Sequence, residues 1–210
     1  MDYTPILFFA AVPLVIAFQV YILVRKMSEP ENMLKPIVGG LSADKEQYIA
    51  SQAAWLESHG LQRLTSFQFG AIQSVVFQQK GAQRFFTLLF HQKITFEIES
   101  RFDEMTFLET ATSGSTGMFP ARPGAYKQSF PGATPEQAWQ RHLDGEAYLM
   151  QKFGIQWRAL NLPFEQMLIQ SLRASMLYVR SIPFYPFLAL YWFFVSRQLC
   201  RNKTIQQQFP

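Results

Sequence analysis

The spacing of hydrophobic positions changes along this chain and divides it into parts. Pro5 to Val24 is twenty consecutive uncharged residues, PILFFAAVPLVIAFQVYILV. At about 1.5 Å rise per residue, a helix of that length spans a hydrocarbon core of about 30 Å. Gln19 is its one strongly polar side chain, and a proline such as Pro13 is tolerated inside a membrane helix. The segment has no basic n-region, too long an apolar run and no small-x-small site after it, so it differs from a cleaved signal peptide. Residues 1–26 therefore read as a retained transmembrane anchor. Asp2 precedes the run while Arg25, Lys26 and Lys35 follow it. The positive-inside rule then puts the N-terminus outside and residue 25 onward in the cytoplasm.

Residues 27–42, with two prolines and two glycines, read as a linker. Ser42 is placed to cap a helix, with Glu46 near the position that answers such a cap. Ile49, Ala53 and Leu56 give this helix its apolar side, Gly60 ends it, and His59 in its last turn suits the helix dipole. From Leu61 the period falls to two. Leu64–Gln78, interrupted at Gly70 by a bulge or turn, is followed by strands over Arg84–Phe90, Ile94–Phe102 and Met105–Thr112. In the Ile94–Phe102 run, Ile94, Phe96 and Ile98 alternate with Thr95, Glu97 and Glu99, which predicts an antiparallel meander with one buried and one wet face. Ser113–Pro131 is rich in Gly and Pro and reads as irregular. Thr134 then caps a second helix, with Pro135 first and Gln137 as capping-box partner, running toward Gln151 with an interruption expected at Gly145. The class is α+β: a helix, meander and helix over 43–160 behind an N-terminal transmembrane helix.

Two further patterns occupy 161–200. Phe164, Leu168, Leu172 and Met176 repeat every four residues against a stripe of Gln166, Gln170, Arg173 and Arg180. That is an amphipathic helix, lying either in the membrane interface or on the domain. Ile182–Ser196, IPFYPFLALYWFFVS, carries seven aromatics between Arg180 and Arg197, and Pro183 and Pro186 disturb its first turn. It reads as a second membrane segment that dips or crosses, with crossing preferred, although crossing would carry Arg197, Arg201 and Lys203 outside against the charge rule. Residues 201–210 form a polar tail.

Composition narrows the function classes. Of 210 residues 49% are hydrophobic and 16% charged, with 21 Phe; a typical soluble domain has about 25% charged residues. Disorder is excluded as the overall state. The single cysteine excludes an internal disulfide framework and a cysteine-based zinc cage. The net charge of +4 is dispersed, without the basic stripe and interleaved aromatics of a nucleic-acid binder.

Candidate chemistry is sparse. His142 and Glu146 lie four apart on a helix and share a face, but two ligands are no metal site and no H-E-x-x-H is present, so a surface pair is expected. His91 sits at a strand end, where a general base would need Glu97 or Glu99, both expected on the solvated face. Ser113-Gly114-Ser115-Thr116-Gly117 lacks the Lys-Ser/Thr and helix of a P-loop, and also lacks the G-x-S-x-G spacing. Arg122, Tyr126 and Lys127 read as a loop near the membrane, and Cys200 as a weak acylation candidate.

The run MTFLETATSGSTGMFPARPGAYKQSFPGATPEQAWQRHL, with its Thr-rich strand end, Pro-rich loop and Trp- and His-bearing helix, resembles uncharacterised bacterial membrane-anchored proteins with a small α+β domain. The resemblance covers about a third of the chain, implies a bacterial inner membrane, and brings no active site with it. The expected function is a non-enzymatic accessory or structural subunit of a larger membrane complex, with a photosynthetic or respiratory assembly as one setting. Phe187, Tyr191, Trp192, Phe193, Phe194, Arg173 and Arg180 are its expected contacts with lipids and other membrane subunits. No cofactor, metal ligand or catalytic residue is assigned. The alternatives are a membrane-anchored module holding a lipid or other hydrophobic ligand between the meander and helices 43–59 and 135–151, and a membrane enzyme using His91 or His142.

Overall fold

In the computed structural model, residues 4–113 and 119–210 are described; the side chains of residues 4–10 and of Leu190, Phe193, Ser196, Arg197 and Cys200 lie outside that description. Of the candidate loop Ser113–Gly117, residues 114–117 thus lie outside the description as well. Among the described residues seven strands form one sheet in sequence order: β1 Leu34–Pro36, β2 Leu61–Phe69, β3 Ile72–Gln79, β4 Arg84–Phe90, β5 Ile94–Arg101, β6 Phe107–Ala111 and β7 Ala125–Ser129. Neighbours are antiparallel up to β6, whereas β7 pairs parallel with β6, Glu109 opposite Lys127. The interruption at Gly70 is a two-residue turn, with Phe69 paired to Ile72 and Gly70 at φ 60°. A glycine meets that backbone requirement without steric cost. The register slips once, between Arg63 and Thr65, and Leu64 is left exposed on the bulge.

The alternation builds two faces, and helices cover both. On one face Val75, Phe77, Phe86, Leu88, Phe96 and Ile98 form the main core beneath α2 (Ala43–Ser51), α3 (Ala53–Ser58) and α4 (Pro135–Phe153), with Leu56, Ala138 and Trp139 supplied by the helices. On the other, Phe67, Val76 and Phe85 meet Phe164 and Met167 of α5 (Phe164–Ser181), the Phe85 and Phe164 rings 4.6 Å apart. The expected wet face is therefore half covered. α5 uses its first half on the sheet; Met176 and Val179 from its second half pack with Val24 of α1 (Thr4–Met27) and with Trp192. After α5 come α6 (Tyr185–Tyr191), a π-helical turn over Trp192–Ser196 and α7 (Arg197–Cys200), with Phe184 at φ 56° making the reversal before them.

Several expectations are corrected. The 27–42 linker contains a 3-10 turn, Pro30–Asn32, and β1, and Glu31 ties it to α5 by an ion pair with Arg173 at 2.9 Å. The 43–59 helix is two helices broken at Gln52, and Ser42 makes no side-chain cap; Glu46 reaches Arg63 at 3.1 Å instead. The Gly/Pro-rich stretch hides β7. Gly145 does not interrupt α4. A Cβ there would sit 3.1 Å from Leu108 and 3.2 Å from Gln128, so glycine is what lets the helix lie close on the sheet. Thr134 and Gln137 do form the capping box.

The polar tail is docked, not loose. Arg201 bridges to Ser129, and the Asn202 amide donates to the Ser129 carbonyl at 2.6 Å. In α8 (Ile205–Gln208), Ile205 is fully buried and its amide donates to Gln128 Oε1 at 3.0 Å. Because residues 164 and 201 both rest on the sheet, the aromatic segment between them leaves the domain and comes back to it. A crossing by residues 182–196 would separate this tail from the sheet on which it packs. As for the N-terminal anchor, α1 is one helix of 24 residues. Among the described residues no helix is long and apolar enough to cross a membrane, and residues 1–10 of the expected span lie outside the described side chains.

Candidate functional site

Three places gather the residues that chemistry could use. The first is beneath α4. The spacing of His142 and Glu146 aims both at the sheet, where β5, β6 and β7 each present a small or medium polar group at an inward position: Ser100, Thr110 and Gln128. Gln128 Nε2 donates to Thr110 Oγ1 at 2.8 Å and to the Arg141 carbonyl at 3.0 Å. The Thr110 hydroxyl, having accepted, gives its proton to His142 Nδ1 at 2.7 Å. That fixes the neutral tautomer with the proton on Nε2, which faces Ser100 Oγ at 2.8 Å. Ser100 donates onward to Glu146 Oε1, and Arg84 closes the chain with Nε and Nη2 each 2.6 Å from the Glu146 oxygens.

Every group in this chain has a partner. Burial holds the His142 imidazole below its ordinary value, although Glu146 pulls the other way. Burial would raise Glu146, but hydrogen bonds from His142, Arg84 and Ser100 bring its carboxyl down to about 2. Ser100, Thr110 and His142 are completely shielded from solvent, and both ring nitrogens are occupied. A Ser, a His and a Glu meet here, yet no substrate atom can reach the Ser100 oxygen. The arrangement fixes α4, β5, β6 and β7 to one another. The expected surface pair is thus a pair, at 3.4 Å, in the interior.

The second place is on the opposite face, between the sheet and α5. A groove of about 310 Å³ has apolar walls from Met27, Phe67, Leu89, Phe164, Leu168 and Leu172 and a polar floor of Ser74, Thr87, Glu97, Glu99, Glu109 and Lys127. The pleat of β5 to β7 alone explains the floor, since Glu97, Glu99, Glu109 and Lys127 have the parity opposite to Ile98, Thr110 and Gln128. Lys127 Nζ lies 3.0 Å from Glu109, and Glu99 accepts a hydrogen bond from Arg101 Nε. Burial alone would lower Lys127, but Glu109, Glu97 and Glu99 raise it. Glu97 has no hydrogen-bond or ion-pair partner among the described residues. Burial first, and then repulsion from Glu109, push its carboxyl up to about 8.

The third is the helical layer. α1 packs against α5 and α6 and buries Ala17 and Val24, but Leu14, Val15 and Phe18 face outward, Phe18 62% exposed. Phe187, Tyr191 and Phe194 are likewise 56%, 56% and 64% exposed. Of the expected contact residues, Arg180 is exposed, Arg173 is half given to Glu31, and Phe193 lies outside the described side chains. Trp192 is 5% exposed and belongs to the cluster with Val24, Met176 and Val179, so its ring packs the helices together.

The remaining candidates separate. His91 is exposed in the β4–β5 turn, and the neighbours of Glu97 are Glu109, Lys127 and Glu99. Tyr126 and Lys127 are strand residues, and Arg122 is buried, donating to the Met105 carbonyl at 2.6 Å. Among the described residues no three His, Cys, Asp or Glu side chains converge as a metal site would need. The cavity is not where it was expected: helices 43–58 and 135–153 cover the packed face. From sequence alone Ser100, Thr110 and Gln128 carry no assigned role; the alternation along β5 and β6 gives the inward parity of the first two, whereas Gln128 lies on β7, which no period announces. No protein-family model, curated protein or solved structure matches the chain.

Proposed function

We propose that the protein is a non-enzymatic accessory module of a bacterial inner membrane, anchored by α1, with its α+β domain on the cytoplasmic side and a helical layer that meets lipid and other membrane subunits. One observation carries the reading: exposed apolar and aromatic side chains are concentrated on α1 and on the helix from Tyr185 onward, two elements that pack on each other. Isolated surface hydrophobes are ordinary, but a contiguous apolar layer marks a membrane or protein contact. Ala17 and Ala189, both buried, suit the close helix approach found in lipid. Arg25 and Lys26 at the domain end of α1 support the orientation.

The test is flotation with phosphatidylcholine vesicles, followed by mild-detergent extraction and native-size analysis. The full chain is expected to float and resist carbonate, and to co-migrate with companions at fixed stoichiometry. Phe187→Glu with Phe194→Glu should remove the companions while α1 keeps the chain on vesicles. A wild-type chain that stays in the soluble fraction would refute the membrane reading; a floating monomer without companions would refute the subunit reading. The groove favours a second reading, a module that holds a hydrophobic ligand under α5.

A further inference from the structure

The groove under α5 has an imbalance that bears on its contents. Two of its floor carboxylates are matched by cations already in the fold, Glu99 by Arg101 and Glu109 by Lys127. The third, Glu97, points into the same space and has no cation of its own among the described residues. Among the described residues the charged groups around it are Glu99 on its own strand, Glu109 on β6 and Lys127 on β7; Thr87 on β4, Leu168 and Leu172 on α5 and Met27 on α1 are uncharged. An unpaired carboxyl between apolar walls is costly for the fold to keep.

The walls and the floor ask for different halves of one molecule. About 310 Å³ is at the small end of the roughly 300–1,000 Å³ of small-molecule pockets, and its lining is apolar apart from the floor. We propose that this groove binds an amphiphilic primary amine taken from the membrane interface, its ammonium against Glu97 and its hydrocarbon along Phe164, Leu168 and Leu172. The proposal rests on the second reading above, that the groove holds a hydrophobic ligand, and adds what the head of that ligand must be. A carboxylate head would add a third anion to Glu99 and Glu109, with Glu97 protonated and no free cation to meet it among the described residues. A neutral head would leave Glu97 protonated and gain no ion pair from it.

Binding then carries a proton signature. At neutral pH the Glu97 carboxyl is protonated, because burial and Glu109 push it up to about 8. When the ammonium seats beside it, the carboxyl loses that proton to solvent and becomes the carboxylate that the cation pairs with. No covalent bond changes. One proton leaves for each amine bound, close to one at pH 7 and falling as the pH passes 8.

The test is calorimetric titration of the full chain in phosphatidylcholine nanodiscs with octylamine, octanol and octanoate, at pH 7 in two buffers of different ionisation enthalpy. Octylamine should bind saturably, at least about tenfold tighter than octanol, and release about one proton. Glu97→Gln should lose that tenfold preference and the proton release while binding octanol as the wild type does. Leu168→Trp, which fills the groove, should weaken octylamine and octanol alike. If Leu168→Trp blocks both ligands but Glu97→Gln binds octylamine as well as the wild type does, the amine head is refuted and the hydrophobic groove stands. If Leu168→Trp affects neither, the ligand reading of the groove is itself overturned.

Discussion

Glu146→Gln is the sharpest probe of the interior network. The substitution keeps the shape of the side chain and removes the charge that Arg84 grips at 2.6 Å through two nitrogens. Folding takes the Glu146 carboxyl from 4.5 down to about 2. At about 1.4 kcal/mol per pH unit, that is roughly 3 kcal/mol of stability. The side chain is almost wholly buried, so solvent screening calls for no large discount. The sign follows from the direction. A depressed carboxyl stabilises the fold above its unfolded value and loses that contribution as the pH falls from 4.5 toward 2. The independent expectation for removing one partner of a buried pair, about 3–5 kcal/mol, agrees. Denaturant unfolding in mild detergent, followed by Trp fluorescence, should give a Glu146→Gln deficit of about 3 kcal/mol at pH 7 that shrinks toward zero near pH 2. A variant as stable as the wild type at pH 7, or a deficit that ignores pH, would refute the role assigned to this pair.

Three other outcomes can be measured in the same preparation. His142→Asn should flatten the acid limb just below pH 6.5: the unfolded chain there takes a proton that the buried imidazole refuses, so the wild type loses stability as the pH falls and the variant loses less. Gly145→Ala should lower stability by about 1 kcal/mol in a thermal melt: its Cβ meets Leu108 at 3.1 Å and the buried, hydrogen-bonded Gln128 amide at 3.2 Å, and the about 1–3 kcal/mol of overpacking outweighs the about 0.5–1 kcal/mol that alanine gains in a helix. Trp192→Ala removes a ring buried against Val24, Met176 and Val179 and should cost about 3–5 kcal/mol. Limited proteolysis should then cut near Phe184 while the sheet domain remains intact; unchanged resistance would show that the helical layer does not depend on this ring.

Local signals that act within a few residues were legible in the sequence. The period-two runs from Leu61 to Thr112 outlined the stretch that forms β2 to β6, with a bulge and a turn both open at Gly70, because alternation is imposed by the pleat itself and needs no knowledge of what lies on either face. The box at Thr134 and Gln137 was equally local. β7 was not legible: Ala125–Ser129 is too short to display a period and becomes a strand by pairing parallel with β6 across thirteen intervening residues, 112–124. The tail was misjudged for the same reason. Nothing near Ile205 in the sequence announces that Gln128 will accept its amide, 77 residues away.

By itself, then, the sequence determined the α+β class, the strand parity and the helix that presents His142 and Glu146 on one side. Tertiary structure decided what each of those sides meets. Parity says that Glu97 and Ile98 face opposite ways, but only the arrival of α5 makes the supposed wet face a groove and raises the Glu97 carboxyl. Spacing says that His142 and Glu146 are neighbours, but only the approach allowed by Gly145 buries them against Ser100 and Arg84. Alternation is a property of consecutive bonds, whereas burial and charge pairing depend on which distant segment fills the space, and that is settled only when the chain has folded.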